Sequence, residues 1–332
     1  MTSLSRPRRL AGLALALGLP MIATGLTATA HAQSDWPQKP VRIVVGFAPG
    51  GTTDITARIV AEQLSTTFKQ TFVIENKTGA GGNVGATEVA RAAPDGYTFL
   101  MGTPGTQAIN QFLFAKMPYD TAKDFVPVSF VARVPNVLMV HPAVPANSIQ
   151  ELIALAKSKP GGLTYGSPGN GATGHLSTEL FKTQAKIFVT HIPYRGSSPM
   201  LQDLMAGQIQ MSIDNLPSAL PFIKSGRLRA LGVTSANRSD QLPDVPTIAS
   251  VLPGFSAESW FVLMAPAGTP RAVVDRLSTE VDRIVKRKEI VDRFKALGAE
   301  PVGGTPEFLG KFIADETKKW QQVVKASGAK ID

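Results

Sequence analysis

The chain has 332 residues, 43% hydrophobic and 18% charged, with 34 basic against 25 acidic side chains and no cysteine. That length is enough for two hydrophobic cores, and the lack of cysteine excludes disulfides, thiolate metal sites and lipoprotein attachment. The basic residues are scattered, and four tyrosines and three tryptophans form no stacking series, so nucleic acid is excluded and small anions are favoured.

The first 32 residues read as an export signal. Arg6, Arg8 and Arg9 make a basic start, residues 10–19 are almost purely Leu, Ala and Gly, and Ala30-His31-Ala32 fits a cleavage site before Gln33. An uncleaved membrane anchor is the rival, but Pro20 and the thinning toward Thr and Ala favour cleavage. The Arg8-Arg9 pair leaves a twin-arginine route open. Cleavage removes three arginines and no acid, which lowers the net charge from +9 to +6 and places the mature chain in a bacterial periplasm.

Beyond the signal, strand-like and helix-like runs alternate, as in an α/β protein with a largely parallel sheet. Residues 41–47 read as the first strand, and Ile55, Ile59, Val60, Leu64 and Phe68 form the apolar face of a helix after it. Residues 72–75 read as a second strand, Asn83 as the cap of a helix to Ala93, and residues 97–102 as a third strand. Residues 137–140 read as another strand, and then the pattern restarts. Ser148-Ile-Gln-Glu151 is a capping box opening a helix that Pro160-Gly161-Gly162 ends. Strands follow at residues 163–167, 188–194, 209–213, 228–233 and 258–264, with helices from the second glycine-rich corner to Gln184 and from Ser198-Pro199. Thr269-Pro270 and Thr305-Pro306 each supply a cap followed by proline at N1 and open two long terminal helices. Those helices complete the first unit, so that the second is inserted between crossovers near 138–145 and 256–266, with a ligand cleft between the two.

Five stretches bear chemistry, and each follows a strand, where open α/β sheets bind ligands. In Phe47-Ala-Pro49-Gly50-Gly51-Thr52-Thr53-Asp54, a glycine pair precedes a helix start, so bare N–H groups and the positive helix end meet hydroxyls. This suits a carboxylate or phosphate; a tight turn capped by Asp54 is the plain alternative. Residues 167–177 contain Gly169-Asn170-Gly171-Ala172-Thr173-Gly174, a G-x-G-x-x-G match. No acidic residue follows at the ribose position, where 190–194 read Thr-His-Ile-Pro-Tyr, so the dinucleotide reading fails while the anion-holding helix start remains. Thr103, Gly105 and Thr106 follow the third strand. Arg195 ends another strand as a carboxylate ligand or a solvated charge. Asp214 and Asn215 follow 209–213 as a turn and cap or as the rim of the cleft. No G-x-S-x-G, H-E-x-x-H or EF-hand pattern appears, and a hydrolase using His175 with Ser167 or Ser177 is the rival reading, capping being the plainer role for His175.

These residues are where the chain resembles a known family. "FAPGGTTD", "GTPGTQAIN", "YGSPGNGATGHLS", "HIPYRGSSPML", "LPDVPTI" and "SWFVLMAPAGTP" are similar to the Bug family, the periplasmic substrate-binding receptors of tripartite tricarboxylate transporters, from Trp36 to the last helix. The resemblance implies a type II periplasmic-binding-protein fold: two α/β lobes, residues 33–138 with 258–332 and residues 139–257, joined by a two-strand hinge. It implies that two loops, one per lobe, hold a ligand carboxylate through main-chain N–H groups, small hydroxyls and ordered waters. Carried over, the first loop is Phe47 to Asp54 and the second Ser167 to His175, flanked by Thr103, Gly105, Thr106, Asp214 and Asn215. Pro168 departs from the pattern by removing one N–H donor. The implied protein is a monomer without metal or cofactor that captures a di-, tri- or aromatic carboxylate and delivers it to membrane subunits of the transporter. A ligand-presenting sensor for a membrane kinase would use the same surfaces.

Overall fold

The computed structural model describes residues 36–331, so the export signal expected at 1–32 lies outside the described residues. Strand β1 (Val41–Val45) ends at Gly46, where a Cβ would stand 2.7 Å from the Cα of Gly82. Helix α1 (Thr52–Phe68) follows, then β2 (Phe72–Asn76), parallel to β1. A single 3-10 turn at Ala80–Gly82 leads into α2 (Asn83–Ala90), and β3 (Thr98–Gly102) pairs parallel with β1 on its other side. Alternate β1 residues serve opposite faces: Ile43 and Val45 pack with Val60 and Leu64 of α1, and Val44 packs with Ala86 and Val89 of α2. A π-helical turn at Gly105–Ile109 runs into the short α3 (Asn110–Leu113).

The long strand β4 (Phe125–Val140) joins the halves of the molecule. Past it come α4 (Ile149–Ser158), β5 (Thr164–Ser167), α5 (Thr173–Ala185), β6 (Thr190–Pro193), α6 (Ser197–Met205), β7 (Met211–Asn215), α7 (Leu216–Lys224) and β8 (Arg229–Val233). The chain then returns through β9 (Glu258–Pro266) and ends with α8 (Arg271–Val285), α9 (Lys288–Ala296), β10 (Glu300–Pro301) and α10 (Pro306–Ser327). The strands form one continuous path, β2-β1-β3-β9-β4-β7-β5-β6, with β8 and β10 also pairing β4. β4 changes partners between Pro135 and Asn136: residues up to Pro135 pair antiparallel with β9, and residues from Asn136 pair with β7 and β8. The sheet is therefore parallel within each half and antiparallel where β4 and β9 cross between them. This is the two-lobed α/β arrangement expected from the sequence, but the sheet is mixed rather than largely parallel, because β4 and β9 pair antiparallel with their neighbours.

Several expectations need correction. Only the last four residues of β4 read as strand in the sequence, because Pro127 and Pro135 look like breakers; the ladder absorbs Pro127 at a register shift against β9. Asn83 does not cap α2. Its Oδ1 instead accepts from Asn110 Nδ2 (2.6 Å) and Tyr119 Oη (2.8 Å), and the helix ends at Ala90 rather than Ala93. β7 lies two residues later than expected, so Asp214 and Asn215 are inside the strand. The terminal segment holds three helices, because the chain breaks at Lys286-Arg287 between α8 and α9. Helix α7 escaped notice because of Pro217 and Pro221; Pro217 sits in the first turn, where a missing N–H costs little. Of the two capping threonines, Thr305 accepts from Phe308 N (3.2 Å) as expected, while Thr269 donates to Pro266 O and leaves Pro270 at the N-cap.

The last helix is fastened to the crossing strand. Buried Trp260 of β9 and Trp320 of α10 both donate their indole N–H to Glu316 Oε2, at 2.9 and 3.0 Å. Glu316→Ala leaves two buried donors unpaired and should lower unfolding free energy by about 2–3 kcal/mol, read from urea denaturation, with partial recovery in Glu316→Gln.

Candidate functional site

Four helices begin at one place. Gly51, Thr52 and Thr53 at the start of α1, Ala172 and Thr173 at α5, Ser197 at α6 and Asn215 ahead of α7 line a single enclosed cavity, completed by Phe47, Thr103, Pro168, Ser259 and Phe261. It measures about 20 Å³ for water-sized occupants, little more than one such occupant needs. None of the four helices has a side-chain cap. Each presents the positive end of its dipole and first-turn N–H groups that no cap residue takes, except that Ser218 N of α7 donates to Thr52 Oγ1 and that Pro199 of α6 and Pro217 of α7 have no N–H. No lysine, arginine or histidine lines the space. Whatever positive potential it has comes from backbone, with the hydroxyls of Thr52, Thr53, Thr103 and Ser259 as further donors, while Thr173 gives its proton to Ser259 Oγ and Ser197 bonds to Asp214.

The two halves are closed over this cavity. Ala48 N donates to Arg195 O (3.0 Å), Ser198 Oγ to Pro49 O (2.6 Å), Ser218 N to Thr52 Oγ1 (3.2 Å) and Thr173 Oγ1 to Ser259 Oγ (3.2 Å). Backbone comes so near backbone that side chains are excluded. A Cβ on Gly81 would collide with the carbonyl of Asn170 across the cleft, and one on Gly171 with the side-chain amide of Asn110. Gly50 has φ +80 and needs its glycine, but Gly51 has ordinary φ and room for a Cβ, 3.5 Å from Ser197 Cβ. In the pair, only the first glycine is conformationally required.

Asp54 is spent on building the first loop. Its Oδ2 accepts from Gly50 N (3.0 Å) and Arg58 Nε (2.9 Å), and its Oδ1 from Asn76 Nδ2 (3.0 Å). Although burial opposes its charge, the hydrogen bonds from Arg58, Gly50 and Asn76 hold its pKa below the usual carboxylate range. Asn76 Nδ2 also donates to Phe47 O (2.9 Å), fixing the Phe47 backbone.

The second loop is held by neutral imidazoles. Gly171 N donates to His175 Nδ1 (3.2 Å), and the His175 ring stacks on His191 at 4.3 Å, which stacks on Tyr165 at 4.6 Å. Burial, aided by the Lys182 charge, pushes His175 down to about 4; burial and the neighbouring His175 push His191 down to about 3. Ser167 Oγ lies 2.6 Å from His191 Nε2, but Ser167 is fully buried and His191 is far too weak a base near neutrality to activate it. Ser177 accepts from Asn136 Nδ2 (3.2 Å). The hydrolase reading loses its geometry. Asp214 is wholly buried, accepts from Ser218 Oγ (3.0 Å), and is pushed up to about 6 by that burial.

Of the expected ligand residues, Phe47, Gly51, Thr52, Thr53, Thr103, Ala172, Thr173 and Asn215 line the cavity. Thr106 stands behind it, its hydroxyl accepting from Thr103 N (3.0 Å), and Gly105 packs so close to Gly171 that a Cβ would lie 2.9 Å from its carbonyl oxygen. Pro49, Gly50, Asp54, Ser167, Gly171, His175 and Asp214 support the loops. Gly169, Asn170 and Arg195 line a neighbouring cavity of about 340 Å³ instead, which shares Phe47 and Pro168 as its boundary with the first. Ser197, Ser259 and Phe261 were not expected. Ser197 had a signal in its position after Gly196 at a helix start; Ser259 and Phe261 reach the site only because β9 returns beneath it.

Residues 56–329 match the family described as tripartite tricarboxylate transporter family receptor, TctC. The chain belongs to this receptor family. It is 38% identical to BugT of Bordetella pertussis over 95% of this chain and 97% of that protein. Among solved structures it is similar to R. palustris Rpa4515 with adipate (44% identity, TM-score 0.87, 89% of this chain and 100% of that one). It is also similar to MatC from Rhodopseudomonas palustris with bound malate (34% identity, TM-score 0.84, 87% and 100%). TctC receptors are solute-binding proteins rather than enzymes, which agrees with the inert Ser167–His191 pair. Among the described residues no cluster of three potential metal ligands occurs and no helix is long and apolar enough to cross a membrane.

Two outcomes follow for this receptor. Gly81→Ala adds a methyl that collides with the Asn170 carbonyl of the opposite half and makes an ordinary contact with Asn110 Nδ2 of its own, at a local cost of about 1 kcal/mol. Solution scattering should show a larger radius of gyration with the fold retained by circular dichroism; an unchanged curve contradicts tight closure at Gly81. Stability should also decline with acid. A histidine whose pKa is held below its ordinary 6.5 stays neutral in the fold while the unfolded chain takes up a proton. Stability is therefore lost between pH 6.5 and about 4 for His175, and on toward 3 for His191. Asp214 works oppositely, gaining its proton in the fold first between about 6 and 3.8. Two histidines against one aspartate give a net fall in urea midpoint from pH 7 to 4.5, and His175→Gln should flatten it.

Proposed function

We propose that this chain is a periplasmic receptor that captures a small organic carboxylate between its lobes and delivers it to the membrane subunits of a tripartite tricarboxylate transporter. The observation that carries the reading is the convergence of four helix N-termini, from both lobes, on one cavity without a cationic side chain. A carboxylate group entering there accepts from backbone N–H groups and the surrounding hydroxyls, and the cavity, sized here for about one water, must widen to admit it. Its charge-assisted bonds contribute about 1.5–3 kcal/mol each. Four or five of them, less the cost of association, correspond to roughly micromolar binding, near −8 kcal/mol. The adipate and malate in the Rpa4515 and MatC structures support a dicarboxylate as the class.

The rest of a longer ligand extends past Phe47 and Pro168 into the neighbouring cavity, where Arg195 meets the distal carboxylate. Arg195 is exposed and its guanidinium can turn to a ligand without giving up a partner inside the protein. The hinge of this reading lies at the two crossings, where β4 changes partners at Pro135/Asn136 and where β9 begins at Glu258. That division is close to the lobes drawn from the sequence, 33–138 with 258–332 against 139–257. A ligand that bridges the lobes stabilises the closed form because only there does it reach both sets of donors. The closed monomer is the form that docks.

Isothermal titration calorimetry with adipate, malate and hexanoate tests this. Adipate or malate should bind one to one at roughly micromolar Kd, and Arg195→Ala should weaken adipate about tenfold while leaving hexanoate unchanged. Absence of binding by any mono- or dicarboxylate overturns the reading; equal loss for both ligands removes Arg195 from the distal end.

A further inference from the structure

A second cavity lies on the far side of the π-helical turn from the cleft. It measures about 460 Å³, within the range of small-molecule sites, about 300–1,000 Å³. Its walls are apolar, from Phe125 and Pro127 of β4, Met264 of β9 and Ile313 of α10, and its floor is opened by Gly310, which has no side chain to fill it. At its inner end is Gln107. This side chain is 1% exposed, its Nε2 makes only a long contact to Thr106 Oγ1 (3.5 Å), and its Oε1 has no hydrogen-bond partner.

A buried acceptor without a donor costs free energy that a ligand can recover. Thr317 already donates to Ile313 O (2.7 Å) and Thr121 to Gln111 Oε1 (3.4 Å), so neither hydroxyl proton is free to reach Gln107. Lys318 at the rim is bound to Asp315 (3.3 Å), which leaves the mouth without an uncommitted charge. Gln107 belongs to the π-helical turn Gly105–Ile109, a form frequent at functional positions, and lines this cavity, whereas Thr103 just before the turn lines the cleft.

We propose that this cavity is a second small-molecule site, for an uncharged compound with an apolar body of about one ring and a single O–H or N–H donor that pairs with Gln107 Oε1. The site stands apart from the carboxylate cleft: no residue is shared between the two linings. The proposal does not depend on which acid, if any, the cleft takes.

The probe is benzyl alcohol, with toluene as a partner of like size that lacks the donor, added to protein carrying 13C-methyl methionine. Met264 lines the cavity and reports occupancy through its methyl resonance, assigned with Met264→Leu. Benzyl alcohol should shift that resonance saturably at millimolar concentration, with toluene about tenfold weaker. Gly310→Leu extends a side chain into this space; its Cβ meets Pro127 Cγ at 3.6 Å, an ordinary contact, and circular dichroism checks that the fold is kept, with Gly310→Ala as the smaller variant. Gly310→Leu should abolish the response. Gln107→Met should weaken benzyl alcohol to the level of toluene. No saturable shift, equal binding of the two probes, or an undiminished response in Gly310→Leu overturns the proposal. Because the cleft is titrated separately with adipate, failure here and failure of the carboxylate reading are told apart.

Discussion

The arrangement depends on bare backbone N–H groups from two lobes being brought to one point. An arginine or lysine could bind an anion from a single lobe, but it would lose side-chain freedom on doing so and would attract anions to the open form as well. Helix termini are already fixed by the helices behind them, so they bind at little ordering cost. Their field falls off within a turn, so only a closed cleft sums all four. On the proposed reading, selectivity for the closed state follows from using dipoles instead of ions.

That choice constrains the sequence around the site. Backbone can approach backbone across the cleft only where side chains are missing, which is why Gly81 faces Asn170 and Gly171 faces Asn110. Loops so stripped of side chains need support from elsewhere, and buried polar groups supply it. Asp54 ties Gly50 to Arg58 and Asn76, while His175 accepts from Gly171 and stacks on His191. These groups are held in the protonation state their hydrogen bonds require, Asp54 charged by its donors and the histidines neutral by burial.

Much of this was legible in the sequence. The glycine-rich corners after strands, the bare helix start at Thr52–Thr53 and its counterpart at Ala172–Thr173 identify a polarised, small-residue site by local rules alone. What local rules missed is set by topology. Ser259 and Phe261 belong to a strand that returns from the other lobe; the sequence marks 256–266 as a crossover but does not single out these two side chains as lining the cleft. β4 reads as broken by its prolines, yet it is the continuous strand that carries the chain across. Residue type alone leaves two roles open for Asp54 and His175, ligand contact or cap, and their hydrogen bonds run to the loops themselves. Arg195 stands two residues past the end of β6 and lines the neighbouring cavity rather than the inner one.

The most direct test of the central claim is a crystal structure of the full mature chain with a bound dicarboxylate, refined well enough to place both carboxylate groups. The account predicts one carboxylate enclosed between the starts of α1 and of α5, α6 and α7, with backbone N–H groups and hydroxyls of both lobes at hydrogen-bond distance and no basic side chain on it. A ligand whose inner carboxylate sits on a lysine or arginine, or touches one lobe alone in the closed form, would contradict it.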